Sequence, residues 1–566
     1  MTSSSNFEHG EAIAIAIGGS GTALVGRSGA TIVTSDAFAA IGDVESAVSP
    51  RWVWWSKETA TEFVRSGIRP LRCWDLAAVH RVLEGGWRGD PGRVWALRRG
   101  LDPGDAPPRR GNVDLFTVVD DPDRPVLGTG HLHPEWAHGS WRGDVDRTRR
   151  WAELALDVQR WQAETLARLA DHPTALTTAR SESAAELLCA ELETDGLPLD
   201  RAEAERIIAT FIGDRPLDAA DERRATAERD ERVLLHLGAA SREGIDLRNP
   251  ASVKSLLRRV GIEVDDTRAW RLERRRGDHP IVDAILDWRR AERIATTFGY
   301  RWLDQHVGDD DRLRGTWSAS DGAAGRMTAT AGLHNLPAEL RPAIAAEAGH
   351  VFVRADLGQI EPRILAAVSG DAALAAATAQ HDMYAPVAAE LGVEREVAKV
   401  AVLGAMYGQT TGHGAAARRE LERAYPVAMD YLTRAARRAE GGNDLRTHGG
   451  RLVRMSTGGP LGAGTDEGRT RAAARGRYGR NALVQGAAAE FFKTWAAVVR
   501  ARIAPAQIVL CLHDELLVHT PAHLGSVTAG AVDAALTEAA VHWTGGRPTV
   551  RFVADTAVVD RWSDAC

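Results

Sequence analysis

The chain contains the run Val351-Phe-Val-Arg-Ala-Asp356-Leu-Gly-Gln-Ile-Glu361 and, further on, the run Ile508-Val-Leu-Cys-Leu-His513-Asp514-Glu515-Leu-Leu-Val-His519. Each run is typical of a buried, β-branched strand that ends in a carboxylate. Two such carboxylates can hold two divalent metal ions about 3.5–4 Å apart, an arrangement suited to in-line phosphoryl transfer. A segment rich in Arg and Lys lies between the runs, which indicates a nucleoside triphosphate substrate.

That intervening segment is far more basic than the chain as a whole. Residues 395–480 carry 16 Lys and Arg against 8 Asp and Glu, whereas the whole chain has a formal net charge of -7. A basic stripe on an acidic protein is the usual electrostatic footprint of a channel for a nucleic-acid backbone. A solvated, Arg-rich surface is the alternative, and composition alone leaves it open.

The composition is that of an ordinary globular protein, with 44% hydrophobic and 26% charged residues over 566 residues, enough for three or four domains. No stretch of about 18 apolar residues occurs, so we expect no membrane span. The N-terminus lacks the basic and apolar regions of a signal peptide. Four scattered cysteines without a CxxC pair argue against a zinc site or disulfide framework and favour the cytoplasm.

Hydrophobic patterning divides the chain into three regions. Short strands are predicted at 12–17, 23–25 and 31–33, a further apolar run lies at 52–55, and a helix is predicted at 144–170, so the first region is a small α/β domain. Residues 181–300 are strongly helical, with Asp200 as a candidate N-cap and Asn249-Pro250 preceding a further predicted helix at 251–260. Residues 313–566 alternate strands and helices.

One predicted helix has a distinctive face. Arg395, Lys399, Leu403 and Tyr407 recur every four residues, and Gly408 then ends the helix. Such a face offers cations to a triphosphate and an apolar, aromatic surface to a base. An amphipathic helix with solvated ends is the plainer alternative.

On these residues the chain resembles family A DNA polymerases, the group of bacterial DNA polymerase I. The stretches similar to motifs A, B and C of the family are Asp356–Arg363, Arg395–Gly408 and Leu512–Glu515. Gly325–Pro337 and Asn481–Gly486 are further matches in the family's order. The resemblance is strong over 313–566 and weaker over 181–300.

The resemblance implies an α/β multidomain protein with the right-hand polymerase architecture of palm, fingers and thumb. The N-terminal domain, 1–180, is expected to be an RNase H-like α/β domain of the 3′–5′ exonuclease type. The helical thumb is expected at 181–312. The palm is expected at 313–566, with the fingers inserted at about 372–480.

The resemblance also implies a role for each matching residue. Catalysis is assigned to Asp356, Asp514 and Glu515. Two Mg²⁺ ions, with Mn²⁺ as a substitute, are expected on Asp356, Asp514 and the carbonyl of Leu357. The nucleotide is assigned to Gln359, Glu361, Tyr384, Arg395, Lys399, Leu403 and Tyr407, with Glu361 excluding a ribose 2′-hydroxyl. Primer–template DNA is assigned to Arg326, Asn335, Arg477, Asn481, Gln485 and His513.

Two nucleotide-site positions depart from the family. Leu403 stands where the family usually has Phe or Tyr, so we expect altered discrimination against 3′-modified nucleotides. Tyr384 stands where many members have His, and its hydroxyl can still donate to a phosphate oxygen.

The first domain lacks the carboxylates that a nuclease of this type needs. Its first strand, 13–17, runs into Gly18-Gly-Ser-Gly21 without an Asp-x-Glu pair. Asp75 is interpreted as a remnant of the middle motif, and Trp151 and Ala155 replace the residues of the third motif. We therefore expect no proofreading. The Gly-rich turn also lacks the third small residue of a dinucleotide-binding loop.

The leading hypothesis is a template-directed DNA polymerase acting on primer–template DNA and dNTPs. The alternatives are a DNA-binding protein with weak or vestigial polymerase activity, and a 3′–5′ exonuclease. An HD phosphohydrolase is disfavoured because His513-Asp514 lies in a turn between apolar runs. We further expect a cytoplasmic monomer without membrane contact. The chain leaves no region for a 5′-nuclease domain, so such an activity is expected from a separate partner.

Overall fold

The computed structural model describes residues 7–107, 121–238, 242, 244–408, 414–455, 466–512 and 514–565, of which 414–418 are described by their backbone alone. The chain forms two compact units. The first comprises Met1–Asp195, Thr316–Ala329 and Gly349–Val558, and the second comprises Gly196–Gly315, Thr330–Ala348 and Val559–Cys566. Among the described residues, no helix has the length and apolar character needed to cross a membrane.

The first unit begins with a five-stranded sheet of order β3-β2-β1-β4-β5. Strand β1 runs antiparallel to β2 and parallel to β4. The predicted short strands and the helix at 144–170 are confirmed. The strands, numbered in chain order, are β1 (Ala12–Ile17), β2 (Thr22–Gly26), β3 (Thr31–Thr34), β4 (Arg51–Trp54) and β5 (Cys73–Asp75). The helices are α1 (Ala37–Val48), α2 (Lys57–Arg65), α3 (Leu76–Glu84), α4 (Pro91–Arg99), α5 (Pro134–Ala137), α6 (Val145–Ala167) and α7 (Ala175–Asp195).

Strand β1 is buried on both faces because successive side chains point to opposite sides of a sheet. Its isoleucines pack into one apolar cluster with Trp52 and Phe63. Its alanines pack into a second cluster with Trp55 and Trp151. The alternation of Ile and Ala therefore divides the core into two layers and leaves room for indole rings on the alanine side.

The second sheet of this unit contains both apolar runs that carry the predicted catalytic carboxylates. Its strand order is β13-β14-β10-β15. Strands β10 and β13 each pair antiparallel with β14. Phe352, Leu510 and Leu516 are fully buried, which confirms the two predicted strands. The strands are β10 (His350–Leu357), β13 (Gln507–Leu512), β14 (Glu515–Pro521) and β15 (Ala554–Val559), and helices α20 (Asp466–Arg502) and α21 (Gly525–Thr544) pack together beside them.

The rest of the first unit is mainly helical. Helix α17 ends at Gly408, whose positive φ of 71° favours glycine, so the predicted helix end is confirmed. The helices are α14 (Ile360–Ser369), α15 (Ala372–Ala377), α16 (Tyr384–Leu391), α17 (Arg395–Tyr407), α18 (Gly414–Ala424) and α19 (Pro426–Glu440). The short strands are β8 (Trp317–Asp321), β9 (Arg326–Ala329), β11 (Leu445–Arg446) and β12 (Leu452–Val453).

The second unit is built from helices and one short pair of strands. Asp200 accepts a hydrogen bond from the Glu203 backbone N–H, which confirms the predicted N-cap. Asn249 accepts one from the Ala251 backbone N–H and caps the helix that begins at Pro250 in the same way. The helices are α8 (Arg201–Ile212), α9 (Ala219–Leu234), α10 (Pro250–Arg259), α11 (Ala269–Glu273), α12 (Pro280–Thr297) and α13 (Tyr300–His306), and strand β6 (Leu197–Pro198) pairs with β7 (Arg312–Leu313).

The boundaries of the two packed units differ from the domain boundaries that the sequence predicts. Helix α7 continues through residue 180, where the first domain is expected to end, and the first unit extends to Asp195. Leu187 and Ala190 of this helix belong to the isoleucine-side core of the N-terminal sheet. The second unit also takes in Thr330–Ala348 and Val559–Cys566, which the sequence assigns to the palm.

A buried charge network lies between α7 and the hairpin of β8 and β9. Glu182 is ion-paired with Arg451 at 2.6 Å and also with Lys493, and all three side chains are at most 2% exposed. Lys493 in turn donates to the carbonyl of Gly325 at 2.7 Å, and Arg451 donates to Ser320. Burial lowers the pKa of Lys493 to about 8, although Glu182 opposes the shift. Glu182 is therefore the direct ion-pair partner of two cations that hold the hairpin, and the buried Glu490 acts on both cations as well.

Replacing Glu182 with Gln should destabilise the protein strongly, because two buried cations would lose their shared counter-ion. The expected cost is about 3–5 kcal/mol, measured as a lower midpoint of urea unfolding. Glu203→Gln is the control, since Glu203 forms a solvated i,i+3 pair with Arg206 and should cost under about 1 kcal/mol. Equal shifts for the two variants would contradict the network's importance.

Candidate active site

Strand pairing brings the predicted catalytic carboxylates to one edge of the second sheet. Asp356, near the end of β10, lies opposite Glu515, the first residue of β14. The backbone N–H of Leu357 donates to the carbonyl of Asp514 at 2.9 Å. Asp514 comes directly before β14, and its neighbour His513 lies outside the described residues. The two sequence runs therefore meet as one site.

Burial and neighbouring negative charge raise the pKa values of the two predicted metal-binding aspartates. Burial and then the Asp514 charge raise the pKa of Asp356 to about 6. Burial also raises the pKa of Asp514, and Glu515 and Glu361 add to the effect. Carboxylate oxygens in a region of excess negative charge are donors that Mg²⁺ and Mn²⁺ prefer. Asp356, Asp514 and the Leu357 carbonyl therefore fit the divalent ions that the sequence predicts.

Arg354 is a member of the site that the sequence analysis missed. Its guanidinium donates to Asp356 Oδ2 at 2.7 Å and to Glu515 Oε1 at 2.6 Å. The signal was present, because residues i and i+2 of a strand point to the same face and Arg354 precedes Asp356 by two. Because most of the run is apolar, it was interpreted only as a buried strand.

Glu361 is held in place by two other predicted site residues. Arg326 Nη2 donates to one of its carboxylate oxygens at 3.1 Å, and the hydroxyl of Tyr407 donates to the other at 2.7 Å. Gln485 of α20 also hydrogen-bonds to Tyr407. The first turn of α14, strand β9, and helices α17 and α20 thus contribute to one constellation.

A second constellation surrounds Asp382, another residue that the sequence analysis missed. Arg395 donates to Asp382 at 2.5 Å, and Gln359 donates to its other oxygen at 3.0 Å. The Arg395 guanidinium lies 5.8 Å from the centroid of the Tyr384 ring. That ring is buried, and burial raises the pKa of Tyr384 to about 12. In the sequence, Asp382 could have been recognised as an acidic residue two positions before Tyr384, a predicted phosphate ligand.

The remaining predicted residues divide into three groups. Lys399 and Leu403 are half-buried on α17, and Arg477 and Asn481 lie on α20 with Arg477 exposed. In the described part of the chain Lys399 has no acidic partner within 4 Å. Asn335 lies in the second unit.

Much of the basic segment is neutralised locally. Exposed arginines on its helices pair with acidic residues three or four positions away, in the pairs Arg423–Glu420, Arg434–Asp430, Arg469–Asp466 and Arg471–Glu467. The local excess of positive charge is therefore concentrated at the arginines that lack such neighbours, Arg477 among them in the described residues.

Known proteins share both sequence and fold with this chain. The family model for DNA polymerase family A matches residues 254–564. DNA polymerase I of Chloroflexus aurantiacus is 30% identical over 276 residues, which cover 43% of this chain and 28% of that protein. DNA polymerase theta of Caenorhabditis elegans is 27% identical over 276 residues, covering 44% of this chain and 16% of that protein. The chain thus spans less than a third of the length of these curated relatives.

A solved structure extends the likeness to nearly the whole chain. It is the POL domain of Pol1 from M. smegmatis in complex with DNA primer-template and dNTP, with a TM-score of 0.65. The match covers 99% of this chain and 96% of that one at 20% identity, which establishes a common fold. Because the family model matches more than half of the sequence, this chain belongs to DNA polymerase family A.

Proposed function

We propose that this chain is a template-directed DNA polymerase that adds dNTPs to a primer 3′-hydroxyl with release of pyrophosphate. The observation that carries the proposal is the meeting of Asp356 and Asp514 at one sheet edge, bordered by the Glu361–Tyr407–Arg326 constellation. Carboxylates for metal ions thus lie beside residues suited to a nucleotide. Family membership supports the same reaction.

Asp356, Asp514 and the carbonyl of Leu357 would hold two Mg²⁺ ions, and Mn²⁺ could replace them. When bound, such ions stabilise the attacking and leaving oxygens of an in-line displacement. The protein's own contribution is to keep both carboxylates at the end of a rigid sheet. Glu515 supports them from β14, where it is mostly buried.

Nucleotide selection is assigned to Glu361 and the helix α17. Two hydrogen bonds restrain the Glu361 carboxylate, so it can exclude a ribose 2′-hydroxyl by its fixed position. Arg395 and Lys399 would bind the triphosphate, and Leu403 and Tyr407 would contact the sugar and the base pair. Arg395 now pairs with Asp382, so a triphosphate has to displace that carboxylate.

Primer–template DNA is assigned to residues whose polar groups suit the minor groove. Its acceptor pattern is degenerate, so donors there can check base-pair geometry without reading sequence. Gln485 reaches the constellation through Tyr407. The assigned residues are Arg326, Asn335, Arg477, Asn481, Gln485 and His513.

We also propose that the N-terminal sheet is an RNase H-like, exonuclease-type domain that has lost its nuclease chemistry. Asp75, the carboxylate interpreted as a remnant of the middle motif, is fully buried and caps α3 through the Ala78 N–H. On the alanine side of β1, Trp55 and Trp141 stack on Trp151 at centroid distances of 4.4 and 5.5 Å. A carboxylate committed to a helix cap and a wall of packed indoles argue against a proofreading site. A cytoplasmic monomer working with a separate 5′-nuclease completes the proposal.

Asp514→Asn should reduce primer extension with dNTPs and Mg²⁺ by at least about a thousandfold, because a metal-binding carboxylate is lost. Asp430→Asn is the matched control, since Asp430 forms a solvated pair with Arg434 and should leave extension near the wild-type rate. Full extension by Asp514→Asn, or none by the wild type, would refute the proposed function.

Glu361→Ala should admit ribonucleotides, raising the ratio of rNTP to dNTP incorporation at least about tenfold. Tyr407→Phe is the comparison, because it removes one hydrogen bond to Glu361 yet keeps the carboxylate, so its effect should be smaller. Single-nucleotide incorporation kinetics measure both ratios. An unchanged ratio in Glu361→Ala would exclude Glu361 as the sugar gate.

Asp356→Asn should stabilise the metal-free protein above pH 6. The raised pKa of Asp356 means that its protonated form favours the folded state, and this stabilisation is lost as the pH rises through about 6. Asn stays neutral, so its gain should be about 1–2 kcal/mol after solvent screening and should fade towards pH 4. Thermal melts in EDTA from pH 4 to 8 test this, and a gain that grows on acidification would contradict it.

A further inference from the structure

Arg354 places a permanent positive charge on the carboxylates that are assigned to metal binding. Its side chain is only 16% exposed, and that of Glu515 is 10% exposed. A guanidinium stays protonated at every physiological pH, and its forked donors match carboxylate geometry. Asp356 and Glu515 are therefore bridged by a cation that belongs to the chain itself.

The surrounding charges explain why a cation is stable there. Asp514, Glu515 and Asp555 all act on Asp356 with the same negative sign, and Arg354 is the cation that opposes them. Removing water from such a cluster makes repulsion between its members stronger. The bridge reduces that repulsion in the folded protein before any other cation arrives.

A divalent ion at this site needs the same oxygen atoms. Asp356 Oδ2 already accepts from Arg354, and a lone pair engaged by a guanidinium is not fully available to a metal ion. The two cations also repel each other at contact distance. Binding of a divalent ion must therefore shift Arg354 or weaken its bridge.

We propose that Arg354 is a built-in competitor of the divalent metal ion, and that it sets the metal concentration at which the site fills. Arg354 is hydrogen-bonded to Asp356 and Glu515 when metal is scarce, and it releases Asp356 when metal binds. The inference rests on the proposed function only in taking Asp356 and Asp514 as the metal ligands. Arg354 thus adjusts the affinity of the site for metal, and no step of the reaction passes through it.

Direct Mn²⁺ binding to the full chain tests the inference without DNA or nucleotide. Free Mn²⁺ is measured by electron paramagnetic resonance over a titration of wild type, Arg354→Ala and Arg354→Lys. We expect Arg354→Ala to lower the Kd for Mn²⁺ about tenfold or more, since one contact charge is removed. Arg354→Lys should fall between, because it keeps the charge and loses the fork.

Arg326→Ala is the matched control for this titration. It removes the same charge from the neighbourhood of Asp514, but its partner is Glu361 and not Asp356. Its Kd for Mn²⁺ should change less than about threefold. An equal gain in Arg326→Ala would reduce the effect to general electrostatics and overturn the inference, as would an unchanged or weaker affinity in Arg354→Ala.

Two further arms separate folding and function from the inference. Arg354→Met keeps the side-chain stem, and it replaces Arg354→Ala if circular dichroism shows that the alanine variant is unfolded. Adding Asp356→Asn to Arg354→Ala should abolish the gain in affinity, and a gain that persists would contradict the assigned site. If Arg354→Ala binds Mn²⁺ more tightly but no variant extends a primer, the inference is upheld and the proposed function is refuted. If primers are extended but Mn²⁺ binding is unchanged in Arg354→Ala, the proposed function is upheld and the inference is refuted.

Discussion

The antiparallel pairing of β10 with β14 is the constraint on which the site depends. It sets Asp356 opposite Glu515 and brings the Asp514 carbonyl onto the Leu357 N–H. Side chains alternate along a strand, so a slip of one residue would turn Asp356 to the other face. Fully buried residues such as Phe352 and Leu516 oppose that slip, because it would expose them. The hydrophobic core thereby holds the register of the carboxylates.

Poorly solvated charges occur at two places in this fold. At each place one charged side chain is shared by two groups of opposite charge. Glu182 is shared by two cations under the β8–β9 hairpin, and Arg354 is shared by two carboxylates at the sheet edge. A buried charge is tolerated when it is paired and hydrogen-bonded. The first network is fully buried and braces the structure, whereas the second lies at a partly exposed end of the sheet.

The N-terminal sheet has a different relation to function. Its core is filled with indole rings on the face where β1 carries alanine, and Asp75 serves as a helix cap. Yet helix α7 packs against this sheet and supplies Glu182, which pairs with the two cations that hold the hairpin carrying Arg326. We therefore regard the N-terminal region as a structural support for the proposed polymerase site.

Local patterns in the sequence determined the strands, the N-cap at Asp200, the helix end at Gly408 and the pair of strand-end carboxylates. These depend on periodicity and backbone conformation, which neighbouring residues encode. Only the tertiary structure decided that Arg354 bridges Asp356 and Glu515, that Asp382 joins Arg395, and that α7 packs as one helix through residue 180. Local spacing places Arg354 on the same strand face as Asp356, but the partners that Arg354 and Asp382 find on other elements depend on the tertiary packing.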